Sequence, residues 1–78
     1  MVMGMTYQQA KVILAFAESD MNIKATSERT YYSYSMVRCH LRNVAKETGR
    51  DPHKFYDLCY LVGVATQVMA GRKSVTFR

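Results

Sequence analysis

No apolar run in this sequence is long enough to cross a membrane. The longest, LCYLVGVA (Leu58–Ala65), falls far short of the ~18 residues that a spanning helix needs. Cysteine is scarce: Cys39 and Cys59 are the only two, too few to staple a small secreted domain. The opening MVMGMTYQQ lacks the basic region and following apolar stretch of a secretory leader. These absences lead to the expectation of a reduced, soluble, cytoplasmic protein with no membrane partner. Proline occurs once, at Pro52, and the alternation of apolar and polar residues that marks strands is nearly missing. Repeats, low-complexity tracts and long linkers are also missing, so residues 1–78 are expected to form one domain. Acidic residues are few, six Asp and Glu against eleven Lys and Arg, for a net charge of +5. That balance points towards an anionic partner: nucleic acid, an acidic protein surface or an anionic membrane.

The chemistry of catalysis is missing as well. The sequence shows no nucleophile–base motif, no glycine-rich phosphate loop and no paired carboxylates, so an enzyme is not expected. Cys39, His40, His53 and Cys59 are the residue types that bind zinc, but their spacing matches no ligand pattern such as paired C-x₂-C elements. Neighbouring Cys39 and His40 would point about 100° apart on a helix. No metal and no cofactor are expected.

What the sequence does contain is hydrophobic residues, 49% of the chain, arranged with helical spacing. An all-α domain of four helices follows, over approximately residues 6–19, 23–30, 34–48 and 52–70. Thr6-Tyr7-Gln8-Gln9 forms a capping box at the first start. Tyr7, Ala10, Ile13, Leu14 and Ala17 then mark an inward face, with Val12 and Phe16 beside it. Asn22 caps the short second helix, whose Ile23, Thr26 and Thr30 share one side and whose small Ser27 suits a close helix crossing. Ser33 caps the third, where Val37, Leu41, Val44 and Thr48 form the inward stripe and Gly49 the stop. Asp51 and Pro52 read as N-cap and first residue of the fourth helix, and Gly71 as its end. Phe55, Leu58, Cys59, Val62, Ala65 and Met69 give that helix one apolar face, with Cys59 a small core hydrophobe. Phe55, Tyr56, Tyr60, Leu61, Val64 and Val68 are expected to form an oligomer interface, because a helix apolar nearly all round cannot be wrapped by so small a chain. The tail RKSVTFR is expected to be a short strand or a disordered basic end, and Met1, Met3 and Met5 a loose N-terminus.

Two short helices joined by a three- or four-residue turn, the second bearing outward cations, describe a helix-turn-helix. The stretch TYYSYSMVRCH (Thr30–His40) is then the turn and the leading edge of the recognition helix. Tyr31 and Tyr32 are expected to close the turn against the core. Ser33, Tyr34, Ser35, Arg38 and Arg42 are the candidate DNA-contacting residues, with Lys46 and Lys24 reaching phosphates. Arg50 and Lys54 would extend the basic side.

The segment NIKATSERTYYSYSMVRCHLRNVAKETGRDPHKFYDLCYLVGVA (Asn22–Ala65) resembles the C-terminal helix-turn-helix of PucR-type transcriptional regulators and, more loosely, Fis-type domains. The shared features are an Asn-Ile start, a small helix, a turn, a helix with basic residues around a Val/Leu stripe, and ETGRDP before an apolar helix. The resemblance covers roughly residues 6–66. It implies a bacterial transcriptional regulator with recognition helix 34–48 in the major groove of double-stranded DNA. Arg38 matches a family arginine and Arg42 a position that is usually basic. Tyr34, Ser35 and Met36 stand where the family usually shows Arg, Asn and Thr, and His40 replaces a basic residue. A homodimer through the fourth helix and a larger protein partner are further expectations. The alternative is a small protein–protein interaction module that keeps this shape without reading DNA.

Overall fold

The computed structural model describes residues 5–73. They form four helices: α1 (Tyr7–Glu18), α2 (Ile23–Thr30), α3 (Tyr34–Thr48) and α4 (Phe55–Lys73). The fold is all-α, and among the described residues no helix is long and apolar enough to cross a membrane.

The first three helices start on the caps that the sequence encodes. Thr6 Oγ1 accepts from the Gln9 N–H at 3.1 Å while Gln9 Oε1 accepts from the Thr6 N–H at 3.0 Å. Asn22 Oδ1 accepts from the Ala25 N–H and Ser33 Oγ from the Met36 N–H. Each bond satisfies a backbone donor that the helix itself leaves unpaired. Gly49, in the left-handed region at φ 74°, closes α3 by donating its N–H to Ala45 O at 3.0 Å.

Burial follows from how the helices stack. α1 packs against each of the other three, and α2 packs against α3. Val12, Ile13 and Phe16 of α1, Val37, Leu41 and Val44 of α3, and Leu58, Leu61 and Ala65 of α4 form one core. Because α1 is covered from several directions, its buried arc is wider than one stripe. Val12 and Ala15 are buried, Leu14 and Ala17 are half-buried, and Tyr7 is exposed. α2 contributes buried Thr26 and Thr30, whose hydroxyls donate to Asn22 O and Thr26 O at 2.8 Å. Those bonds let two polar side chains sit in the core without an unpaired group.

Several expectations are corrected. Met5 is buried rather than loose. It sits just before the N-cap, and Ala10 at the fourth helical position is buried too, the arrangement of a hydrophobic staple. Tyr31 does not close the turn against the core: it is 92% exposed and left-handed at φ 64°, while Tyr32 is half-buried. Ser27 has a role beyond its size: its hydroxyl donates to Tyr32 O at 2.6 Å and ties the turn to α2.

The fourth helix begins three residues later than the Asp-Pro signal suggests. Asp51–Lys54 is a turn, closed by the Lys54 N–H to Asp51 O at 2.9 Å. Asp51 Oδ1 accepts from the His53 N–H at 2.9 Å, and Pro52 is buried inside the turn. The same residue types satisfy an Asx-turn and an N-cap, so the sequence alone does not separate them. At its other end α4 continues past Gly71 to Lys73, so the first two residues of the RKSVTFR tail are helical and the rest lie outside the described residues.

Candidate nucleic-acid interface

The outer face of α3 is set by its inner one. Val37, Leu41 and Val44 are buried at i, i+4 and i+7 and fix the rotation of the helix. At about 100° per residue, Ser35, Arg38, Arg42 and Lys46 then fall on the opposite side, and all four are exposed. Ser35, Arg38, Cys39 and Arg42 line one shallow surface depression. Lys46 lies one turn beyond Arg42, and Tyr34 stands exposed at the leading end. Ser33 is also exposed, with its oxygen engaged in the cap. Lys24 is exposed on the first turn of α2 and does not join the depression.

The electrostatics of this face are one-sided. Among the described residues Lys24, Arg38, Arg42 and Lys46 make no ion pair, whereas other cations are taken: Arg29 pairs with Glu18 at 3.2 Å and Arg50 with Asp57 at 3.6 Å. The Arg50 guanidinium also lies 4.2 Å from the centre of the Tyr60 ring. Arg50 therefore belongs to the α3–α4 junction and does not extend the basic row as expected. His40 is likewise not part of that row. It is half-buried, its ring lies 5.7 Å from that of Tyr32, and its buried Nε2 has no hydrogen-bond partner among the described residues. Lys11 covers the Tyr32 ring at 5.3 Å. Beside the row sits the Asp51 turn. The His53 N–H bonded to Asp51 holds that carboxyl below its ordinary value.

The expected interface on α4 divides. Phe55, Tyr56 and Tyr60 are exposed, at 64%, 84% and 45%. Leu61 is fully buried and forms core, a correction to its expected place on an outward face. Val64 and Val68 are half-buried against that core. Cys59, expected inside, is exposed, as is Phe55, which was expected on the inward face as well. An apolar groove of about 390 Å³ runs between the end of α1 and the start of α4, walled by Ala17, Met21, Phe55, Leu58, Cys59 and Val62. Among the described residues no three His, Cys, Asp or Glu side chains come together as a metal site.

No protein-family model matches the chain, and neither the curated proteins nor the solved structures compared with it yield a match. Two features were not legible from spacing: the capture of Arg50, whose partners are on the next helix, and the approach of the Asp51 turn to α3.

Proposed function

We propose that this chain is a DNA-binding helix-turn-helix protein of bacterial transcription regulation, acting in the cytoplasm. α2, the turn Tyr31–Ser33 and α3 would form the motif, with α3 in the major groove. One observation carries the reading: the second helix of the pair presents Arg38, Arg42 and Lys46 in a row, exposed and without a carboxylate partner among the described residues. Arginine forks at that spacing suit phosphate oxygens and guanine edges. The resemblance of Asn22–Ala65 to PucR-type domains supports the same assignment.

The test is fluorescence anisotropy with a labelled random duplex, titrated with salt. Removing two phosphate contacts in Arg38→Ala/Arg42→Ala should flatten the slope of log K against log salt by about 1.8. Absence of binding at low salt, or an unchanged slope in the double variant, would refute the assignment.

A second reading is favoured by the exposed rings of Phe55, Tyr56 and Tyr60 beside the apolar α1–α4 groove. Here the chain docks a second copy or a larger protein through α4. Tyr34, Ser35 and Met36 in place of the usual base-reading residues fit it too. A homodimer would place two copies of α3 on half-sites about 34 Å apart. Salt-sensitive duplex binding that depends on Arg38 and Arg42 separates the two readings, and light scattering on wild type and Tyr56→Lys tests the docking face: concentration-dependent dimers lost in the variant support it, and a monomer throughout removes the homodimer.

A further inference from the structure

A second cavity lies on the flank of α3, and its chemistry differs from both surfaces above. Its floor is apolar: Leu41 and Pro52, both fully buried, with half-buried Ile23 and Ala45. Its rim is polar and aromatic: Tyr34, Arg38, Arg42 and His53. The volume is about 350 Å³, the lower end of the ~300–1,000 Å³ typical of small-molecule sites. That size suits one or two fused rings.

We propose that this groove binds a small amphipathic organic acid, a flat apolar body carrying one carboxylate. The body fills the floor between Leu41, Ala45 and Pro52, and the carboxylate meets the guanidiniums of Arg38 and Arg42. Both arginines lack a carboxylate partner among the described residues, and their planar forks match a carboxylate edge to edge. The one acid that lines the groove, Asp51, is engaged within its own turn. Its Oδ1 accepts from the His53 N–H at 2.9 Å and lies 3.4 Å from His53 Nδ1. Two guanidiniums against this one carboxylate leave the net charge offered to a ligand positive.

The groove is also preformed. Pro52 fixes the backbone of the turn, the Lys54 N–H closes it on Asp51 O, and α3 is held from beneath by Val37, Leu41 and Val44. Little ordering remains to oppose binding. A bare phosphate would engage the arginines and leave the floor unfilled. A neutral apolar molecule would find a better home in the α1–α4 groove. The combination of floor and rim selects an acid with an apolar body. A bound acid would also occupy both arginines of the α3 row and cancel one of their two charges, which gives the site a way to act on whatever that row binds. The proposal itself stands on the groove alone.

The experiment is an amide NMR titration of the ¹⁵N-labelled full chain with 2-naphthoate, its neutral isostere 2-naphthamide, and inorganic phosphate. Expected are saturable shifts with naphthoate at Leu41, Ala45 and His53, and binding of the amide and of phosphate weaker by roughly tenfold or more. Arg42→Gln should weaken naphthoate by about tenfold. Ala45→Leu, which fills the floor and keeps both arginines, should remove the shifts. Equal binding of naphthamide, equal binding of phosphate, shifts centred on Ala17, Leu58 and Val62, or no saturation at millimolar naphthoate would each overturn the proposal. The three wild-type titrations decide the matter even if a variant does not fold. No duplex is present, so the outcome is independent of the DNA reading.

Discussion

Tyr31, like Asp20 and Met21, is a non-glycine residue held at positive φ, an unusual demand on the chain. It holds φ at 64° with its side chain 92% exposed. For an L-residue the left-handed conformation costs roughly 1–2 kcal/mol, because Cβ crowds the carbonyl oxygen. Glycine escapes that cost but loses about 0.5–1 kcal/mol more in chain entropy on folding. The ring is nearly all in solvent, so its removal forfeits little packing. Tyr31→Gly should therefore stabilise the protein by about 0.5–1 kcal/mol. In a domain of this size that corresponds to a rise in Tm of roughly 2–8 °C. Tyr31→Val should do the opposite, since a β-branched residue is poorly suited to that region. Urea unfolding followed by helical circular dichroism measures both. A Tyr31→Gly protein less stable than wild type would show that the ring packs or that the turn is not left-handed. Turns of this kind often carry glycine, so the gain would come from restoring the residue the backbone asks for.

Other substitutions probe the remaining parts. Leu61→Ala should cost about 2–5 kcal/mol, whereas Tyr56→Ala on the same helix should stay within about 0.5 kcal/mol; comparable losses by chemical denaturation would overturn the division of α4 into core and surface. Thr6→Ala breaks the capping box and should cost about 1 kcal/mol in the same assay, while an unchanged midpoint would mean the box contributes nothing. The Asp51 carboxyl is held below its ordinary value by the His53 N–H, so its stabilising contribution is present above the unfolded value and fades as pH falls through the folded one. The stability difference between wild type and Asp51→Asn should therefore shrink as the pH drops below about 4; a difference that grows in acid would reverse the sign of the argument.

The readable parts of the chain were those encoded within a few consecutive residues. Thr6 with Gln9, Asn22, Ser33 and Gly49 each act on backbone groups of their own turn, and all four do what their spacing implies. The bounds of α3 follow from two of them. The inward stripe of α3 was legible because its apolar positions contrast sharply with Arg38, Arg42 and Lys46. α4 offers no such contrast: apolar residues surround it, so spacing does not say that Leu61 faces in while Phe55 and Cys59 face out. Only the position of α1 against it decides that. Arg50 is a related case, since Asp57 and Tyr60 become its neighbours only when α4 folds back. The burial of Met5 is not legible in the sequence, because a lone apolar residue ahead of the first helix carries no periodicity. The outward placing of Arg38, Arg42 and Lys46 is legible in the sequence, while the groove beside it depends on a turn whose path the Asp-Pro pair leaves open between two geometries.

The central position of α1 has a consequence for how the chain tolerates change. Both α3 and α4 rest on it, while α3 and α4 make no close backbone approach to each other among the described residues. Substitutions on faces that share no neighbours combine additively within about 0.3–0.5 kcal/mol. Variation along Arg38, Arg42 and Lys46 is then thermodynamically invisible to Phe55, Tyr56 and Tyr60, and the two surfaces are free to drift under separate selection. The exception is the short span from Arg50 to His53, where Arg50 reaches Tyr60 and His53 meets the Phe16 ring at 5.5 Å. Epistasis between the two faces should concentrate in those four residues.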